Sequence, residues 1–341
     1  MKKTILSVFG AAAFFALGVL AATFLRPQRE IVDLPPGKIP ALLVPAHLHG
    51  KLSLFVLAGQ SNMSGRGAAL NLPHTDRIFL FANDYHWKQA REPLDDPEGQ
   101  IDEVSMDKNA GSGPGLAFAS RLAAAYPGKT IGLITCARGA TTMFEWERRL
   151  GDDSLYGSCL KRIGAARALG KVEGILFFQG EWDAIDDSKP EAPLAPNWAP
   201  PNKLPGSRIT YTQETLKGPF SFNRASRKKW AEMFSDYVDS GRHDLESREL
   251  PVVFAQIGQH EDPARYAYWK EVQESQKSVS MPRVKMVETA DLDLADKVHL
   301  STQAYLKVGE RMADAFIELT DPRKVAASRE TQPVKPAASP N

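Results

Sequence analysis

The sequence predicts an α/β fold, a mostly parallel sheet covered by helices on both faces. Two observations predict it. Apolar runs of strand length alternate along the chain with stretches of helical periodicity. Several of these runs stop at small polar or charged residues, and such a sheet binds ligands just beyond the carboxyl ends of its strands.

Leu52–Ala58 is the first strand and ends abruptly at Gly-Gln-Ser-Asn-Met-Ser-Gly. Arg77–Ala82 is a short second strand. "GPGLAFASRLAAAYPG" has apolar residues at helical spacing and stops at Pro-Gly. Thr130–Ala137 is a buried strand, "SCLKRIGAARALG" a helix ended by glycine, and "VEGILFFQGE" carries the next strand. Pro251–Gly258 is another strand, "PARYAYWKEVQESQKSV" a helix and "VKMVETA" a strand. "STQAYLKVGERMADAFIEL" is the last helix, with Ser301 as its N-cap. Residues 183–222 break the rhythm. This segment is long and Pro-rich, comes directly after a strand end, and is expected to act as a lid or substrate wall.

The 341 residues suffice for one large domain or two small ones, and the formal net charge of +1 argues against a nucleic-acid partner. Residues 1–25 read as an export leader or anchor. Two lysines precede an uncharged apolar run from Thr4 to Leu25, long enough to cross a bilayer core. The charge bias keeps the N-terminus cytoplasmic and exports the body. Both a cleaved signal peptide, with a site near Val19-Leu20-Ala21, and an uncleaved membrane anchor stay open. Residues 26–50 read as a Pro-rich tether, 51–320 as the folded body, and 321–341 as a disordered tail. The two cysteines, Cys136 and Cys159, are open to pairing in an exported chain, although two buried free thiols are the preferred reading. His47 and His49 form an HxH pair in the tether, read as solvated linker, and no zinc-type Cys/His spacing occurs. Oligomeric state is not legible.

The residues just beyond the strand ends are informative as a set. After the first strand come Gly59 to Met63. After the "IGLITCA" strand come Arg138 to Thr142, and after "GILFF" come Gln179 to Asp183. Gly258, Gln259 and His260 come after the Pro251 strand, and Asp296 and His299 after the last. Acyl transfer through a serine needs this combination. Ser61 is the candidate nucleophile and His299 its base, with Asp296 orienting the imidazole. The Ser61 and Gly139 amides and the Gln179 side chain are candidate oxyanion donors. Asp291, Asp293 and Glu181 are nearby alternatives for the orienting acid, and Gln179 has a second reading as a buried hydrogen-bond bracket. Asn62 is expected to brace its turn.

At these positions "GQSNM", "CARGATTMFEW", "FFQGEWDA" and "DKVHLS" resemble, in order, the four blocks of the SGNH-hydrolase superfamily. The match is nearest to its carbohydrate-esterase branch, which includes sialate O-acetylesterases and acetylxylan esterases. It runs from about Leu52 to Phe316. The resemblance implies a flavodoxin-like three-layer α/β/α sandwich. It implies no metal or other cofactor, and the removal of acetyl groups from an acetylated carbohydrate by Ser61, His299 and Asp296. It places Gly139 and Gln179 in the oxyanion hole. Three positions depart from the family pattern: Ala140 stands where a second glycine is usual, Arg138 precedes that pair, and Trp182 comes after Gln-Gly-Glu. Arg138 and Trp182 suggest an altered acceptor site, with Glu181 and His260 as further possible contacts. Arg138 either meets an acidic sugar or forms a salt bridge to Glu181 or Asp183, the second being preferred. His260 is read first as a packed loop histidine. A histidine base stops working once protonated, so the rate is expected to fall below about pH 6–7. Non-catalytic carbohydrate binding and an envelope-glycan or lipid acyl esterase are the competing readings.

Overall fold

The computed structural model describes residues 44–70, 76–186, 201–209 and 222–321, without the side chains of 222–225. The expected leader or anchor, most of the tether, much of the 183–222 segment and all but the first residue of the 321–341 tail lie outside the described residues. Among the described residues no helix is long and apolar enough to cross a membrane.

Seven strands form one sheet in the order β3-β2-β4-β1-β5-β6-β7. They are β1 (Leu52–Gly59), β2 (Ile78–Phe81), β3 (Trp87–Gln89), β4 (Ile131–Thr135), β5 (Gly170–Phe178), β6 (Val252–Ala255) and β7 (Val284–Val287). All neighbours pair in parallel except the edge strand β3, which runs antiparallel to β2. The helices are α1 (Ser61–Ser64), α2 (Gly115–Ala125), α3 (Leu155–Ala166), α4 (Phe222–Asp244), α5 (Trp269–Lys277) and α6 (Thr302–Thr320). Because side chains alternate along a strand, β1 supplies both cores. Leu54, Val56 and Ala58 join one cluster with α3, α4 and α5, and Phe55 and Leu57 join the other with α2 and α6. Phe55 meets Phe118 of α2 and Phe316 of α6 edge-on, with ring centroids 5.1 and 5.0 Å away. The result is the expected three-layer arrangement.

Two expectations need correction, and residues 201–209 of the 183–222 segment lie away from the candidate site. The tether ends earlier than residue 50, because Val44 is buried in the core and His49 bonds its carbonyl oxygen at 3.0 Å. Cys136 and Cys159 are not free thiols but a disulfide. Cys136 leaves the end of β4, Cys159 lies on the buried face of α3, and their Cα atoms stand 5.4 Å apart, within bridging range. The described part of the 183–222 segment at 201–209 does not wall the candidate site. Asn202 bonds the Arg148 and Leu150 backbone, Arg208 pairs with Asp236 of α4, and Ile209 is buried. Helix α4 and strand β3 are additions to the expected elements. The stripe of Trp230, Met233, Phe234, Tyr237 and Val238 has helical spacing, and all five are buried.

Candidate active site

Strand β1 ends in a conformation only glycine accepts. Gly59 has φ +130°, and a Cβ there would lie 2.1 Å from the carbonyl oxygen of Phe178. The chain therefore hugs β5, where the Gln60 N–H donates to Phe178 O at 2.8 Å, and turns into the single helical turn α1 that begins at Ser61.

The structure brings Ser61, His299 and Asp296 together. Ser61 Oγ lies 3.0 Å from His299 Nε2, and His299 Nδ1 lies 2.7 Å from Asp296 Oδ2. The other oxygen, Asp296 Oδ1, accepts from the Val298 and His299 amides at 2.9 and 2.8 Å. Burial alone pushes the Asp296 carboxyl up, but those two amides and the imidazole outweigh it and hold it below the usual carboxylate range. Neither Asp291, which is paired with Arg311, nor Glu181 takes this place.

Asn62 does more than brace its own turn. Its Nδ2 donates to Glu181 Oε1 at 2.5 Å and to Val298 O at 3.2 Å. Its Oδ1 accepts from Tyr305 Oη at 2.6 Å and from the Leu300 amide at 3.3 Å. One buried carboxamide thus ties the serine turn to both sides of His299. Burial pushes the Glu181 carboxyl up to about 7, partly offset by Asn62. The same cause pushes Asp183 up to about 7, offset in part by Ser226 and Gln179.

Two expected oxyanion donors are occupied elsewhere. Gln179 is fully buried. Its Nε2 donates to Thr141 O at 2.7 Å, to Gln60 Oε1 at 3.2 Å and to Asp183, while its Oε1 accepts from Trp230 Nε1 at 2.9 Å. It is the bracket of the second reading, joining β5 to β4's loop and to α4. The Gly139 N–H donates to Asp107 Oδ2 at 2.9 Å, a partner that sequence reading missed. Among the described residues the Ser61 and Ala140 N–H groups have no acceptor. Ala140 sits at φ 57°, the left-handed conformation that explains why glycine is usual there.

Ser61 and His299 open onto a cleft of about 720 Å³, also lined by Arg138, Ala140, Trp182 and Tyr266. Arg138 pairs with neither Glu181 nor Asp183, which are buried and bonded to Asn62 and to Gln179 and the Met143 amide; its guanidinium donates to Met106 O. Trp182 faces the cleft with the Arg265 guanidinium 5.3 Å from its ring centroid. His260 does not line the cleft. Its ring packs 4.6 Å from Trp269 and 5.5 Å from Tyr266, and burial lowers its basicity. The outer wall is the loop at 103–109, with Glu103, Met106 and Asp107, for which the sequence offers no periodic signal. Among the described residues no group of three or more His, Cys, Asp or Glu side chains is placed to hold a metal ion.

Residues 51–192 and 221–318 match the family of carbohydrate esterases described as sialic acid-specific acetylesterases. The chain belongs to this family. It is a carboxylic ester hydrolase of the carbohydrate acetylesterase kind. A probable carbohydrate esterase of Arabidopsis thaliana is 26% identical over 284 residues, covering 77% of this chain and 90% of the relative. An Arabidopsis thaliana protein of known structure superposes with a TM-score of 0.59 at 25% identity, over 78% of this chain and 98% of the other. A carbohydrate acetylesterase from Xanthomonas citri shares the fold at 19% identity and a TM-score of 0.50, over 78% of this chain and 56% of its own.

Proposed function

We propose that this esterase removes O-acetyl groups from a carbohydrate by a two-step serine mechanism. The observation that carries the reading is the unbroken chain Ser61 Oγ, His299, Asp296, with contacts of 3.0 and 2.7 Å at the mouth of one cleft. Ser61 Oγ attacks the acetyl carbonyl carbon while His299 Nε2 takes its proton. The tetrahedral oxyanion lies against the N–H groups of Ser61 and Ala140. It collapses, the carbon–oxygen bond to the sugar breaks, and His299 returns the proton to the leaving oxygen. Water, deprotonated by His299, then attacks the acetyl-enzyme and releases acetate. Asp296 holds the imidazole in the tautomer that keeps Nε2 free to accept, and it stabilises the imidazolium.

The half-buried Trp182 offers aromatic surface for a sugar ring, and Arg138 sets a positive charge on the same wall. The disulfide supports export to an oxidising compartment, which is where the N-terminal apolar run would direct the body, anchored or cleaved. The test is acetate release from 4-nitrophenyl acetate and from a panel of O-acetylated sugars, with Ser61→Ala in parallel. Turnover on a sugar acetate that disappears in the variant is the expected result. Release unchanged in Ser61→Ala, or none from the folded wild type, overturns the reading.

A further inference from the structure

One buried carboxylate beside the cleft takes no part in the acyl-transfer steps. Asp107 Oδ2 accepts from Ser64 Oγ at 2.8 Å, Arg66 Nη2 at 2.8 Å and the Gly139 N–H at 2.9 Å. Its Oδ1 accepts from Arg66 Nη2 at 3.0 Å and the Asn109 N–H at 3.2 Å. Ser64 and Arg66 belong to the turn that carries Ser61, and Gly139 to the loop that leaves β4. A single side chain therefore joins the two backbone segments that carry the Ser61 and Ala140 N–H groups, which have no acceptor among the described residues.

The loop bearing Asp107 is itself held at three points by arginines. Arg162 of α3 reaches Asp102 at 2.5 Å and Ser105 Oγ at 3.0 Å. Arg138 donates to Met106 O, and Arg66 chelates Asp107. The approach also requires a missing side chain. A Cβ on Gly139 would lie 2.8 Å from both Arg66 Nη2 and Asp107 Oδ2. Space, charge and hydrogen bonding all converge on this contact.

We propose that Asp107 is a positioning residue for the acyl-transfer step. Through Ser64 and Arg66 it holds the Ser61 turn, and through the Gly139 N–H it holds the peptide that presents the Ala140 amide. The oxyanion donors are thereby kept at one separation. Asp107 acts through the groups it holds, since both its carboxylate oxygens are taken by Ser64, Arg66, Asn109 and Gly139. The claim rests on the serine-esterase reading. Misplacing preset donors by a fraction of an ångström weakens them for the transition state more than for the bound ester, so the loss falls on kcat.

The experiment measures kcat, KM and the thermal midpoint on 4-nitrophenyl acetate for wild type, Ser61→Ala, Asp107→Asn, Asp107→Ala and Gly139→Ala. Turnover that Ser61→Ala abolishes establishes the parent reading independently. Given that, Asp107→Ala is expected to lower kcat by about 10²-fold or more while KM changes less than about threefold. Asp107→Asn, which keeps an acceptor oxygen for Gly139, is expected to recover part of the loss. Gly139→Ala, whose methyl presses on the same carboxylate, is expected to lose kcat at temperatures where it remains folded. Folded Asp107→Ala with wild-type kcat overturns the proposal, as does a loss confined to KM or to the thermal midpoint. If Asp107→Ala does not fold, Asp107→Asn and Gly139→Ala decide: wild-type kcat in both overturns it.

Discussion

Ser61, His299 and Asp296 interact through one short chain of contacts, yet they are not equally sheltered. The Asp296 side chain is 55% exposed, so water screens its pairing with His299. A fully buried orienting carboxylate is worth about 10⁴ in kcat. Asp296→Asn is accordingly expected to cost less, on the order of 10²–10³ in kcat at pH 7, measured with 4-nitrophenyl acetate. Because its carboxyl is held below the usual range, Asp296 stays ionised down to acid pH, and any loss of activity between pH 8 and 5 belongs to another group. Ala140 carries a side chain at φ 57°. Ala140→Gly is expected to keep the esterase active and to leave stability unchanged or raise it by up to about 1 kcal/mol, read from urea midpoints. A clear destabilisation would mean that the Ala140 methyl makes contacts worth more than the backbone strain.

Helix α3 and the end of β4 are stapled by Cys136–Cys159, and one turn further on Arg162 binds Asn83, the Thr135 carbonyl, Asp102 and Ser105. This pairing of a covalent link with a buried arginine ties the active-site loop to the scaffold. The bridge spans 23 residues of sequence. Replacing both cysteines by alanine is expected to lower the unfolding free energy by about 2–4 kcal/mol, chiefly by freeing the unfolded chain. A denaturant titration of oxidised wild type against the double variant checks it. Most elements were legible beforehand, because a strand buried on both faces or a helix with an apolar stripe leaves a local pattern. The loop at 103–109 left none. Its residues are set by partners on α3, on the Ser61 turn and after β4, and no repeat in the sequence encodes such contacts.

Taken as one titrating body, the protein holds buried carboxyls shifted in both directions. Burial pushes Glu92, Asp95, Glu181 and Asp183 each up to about 7, against values near 4 in an unfolded chain. Between about pH 4 and 7 the native state therefore binds more protons than the unfolded state, and these groups make stability fall as pH rises. Asp102, Asp107 and Asp244 act oppositely. Burial raises them, but Arg162, Arg66 and Arg148 with their hydrogen bonds outweigh it and hold them low. Their contribution is present above about pH 4 and is lost as pH falls through the folded values. The thermal midpoint is expected to peak on the acid side of neutrality, near pH 4–5, and to decline toward pH 8. Calorimetry across that range checks the sign. Glu181→Gln should flatten part of the alkaline decline, since it keeps an acceptor for Asn62 without a charge to bury. A midpoint that climbs steadily from pH 5 to 8 would contradict the balance.

Local pattern alone carried six of the seven strands, the covering helices other than α4, and the rim on which Ser61, Asp296 and His299 meet. A parallel sheet places the ends of its strands on one edge, so the order of the polar clusters already locates the site. Tertiary structure decided which hydrogens remain for the substrate. The Gly139 N–H is taken by Asp107, 32 residues away, and the Gln179 amide by Thr141, Gln60 and Asp183. It also decided that Cys136 and Cys159 are bonded and that Arg138 lines the cleft with its guanidinium on the Met106 carbonyl rather than on Glu181 or Asp183. The physical reason is the same in each case. A hydrogen bond or a disulfide is settled by distance and direction between groups far apart in the chain, which residue type and spacing do not specify.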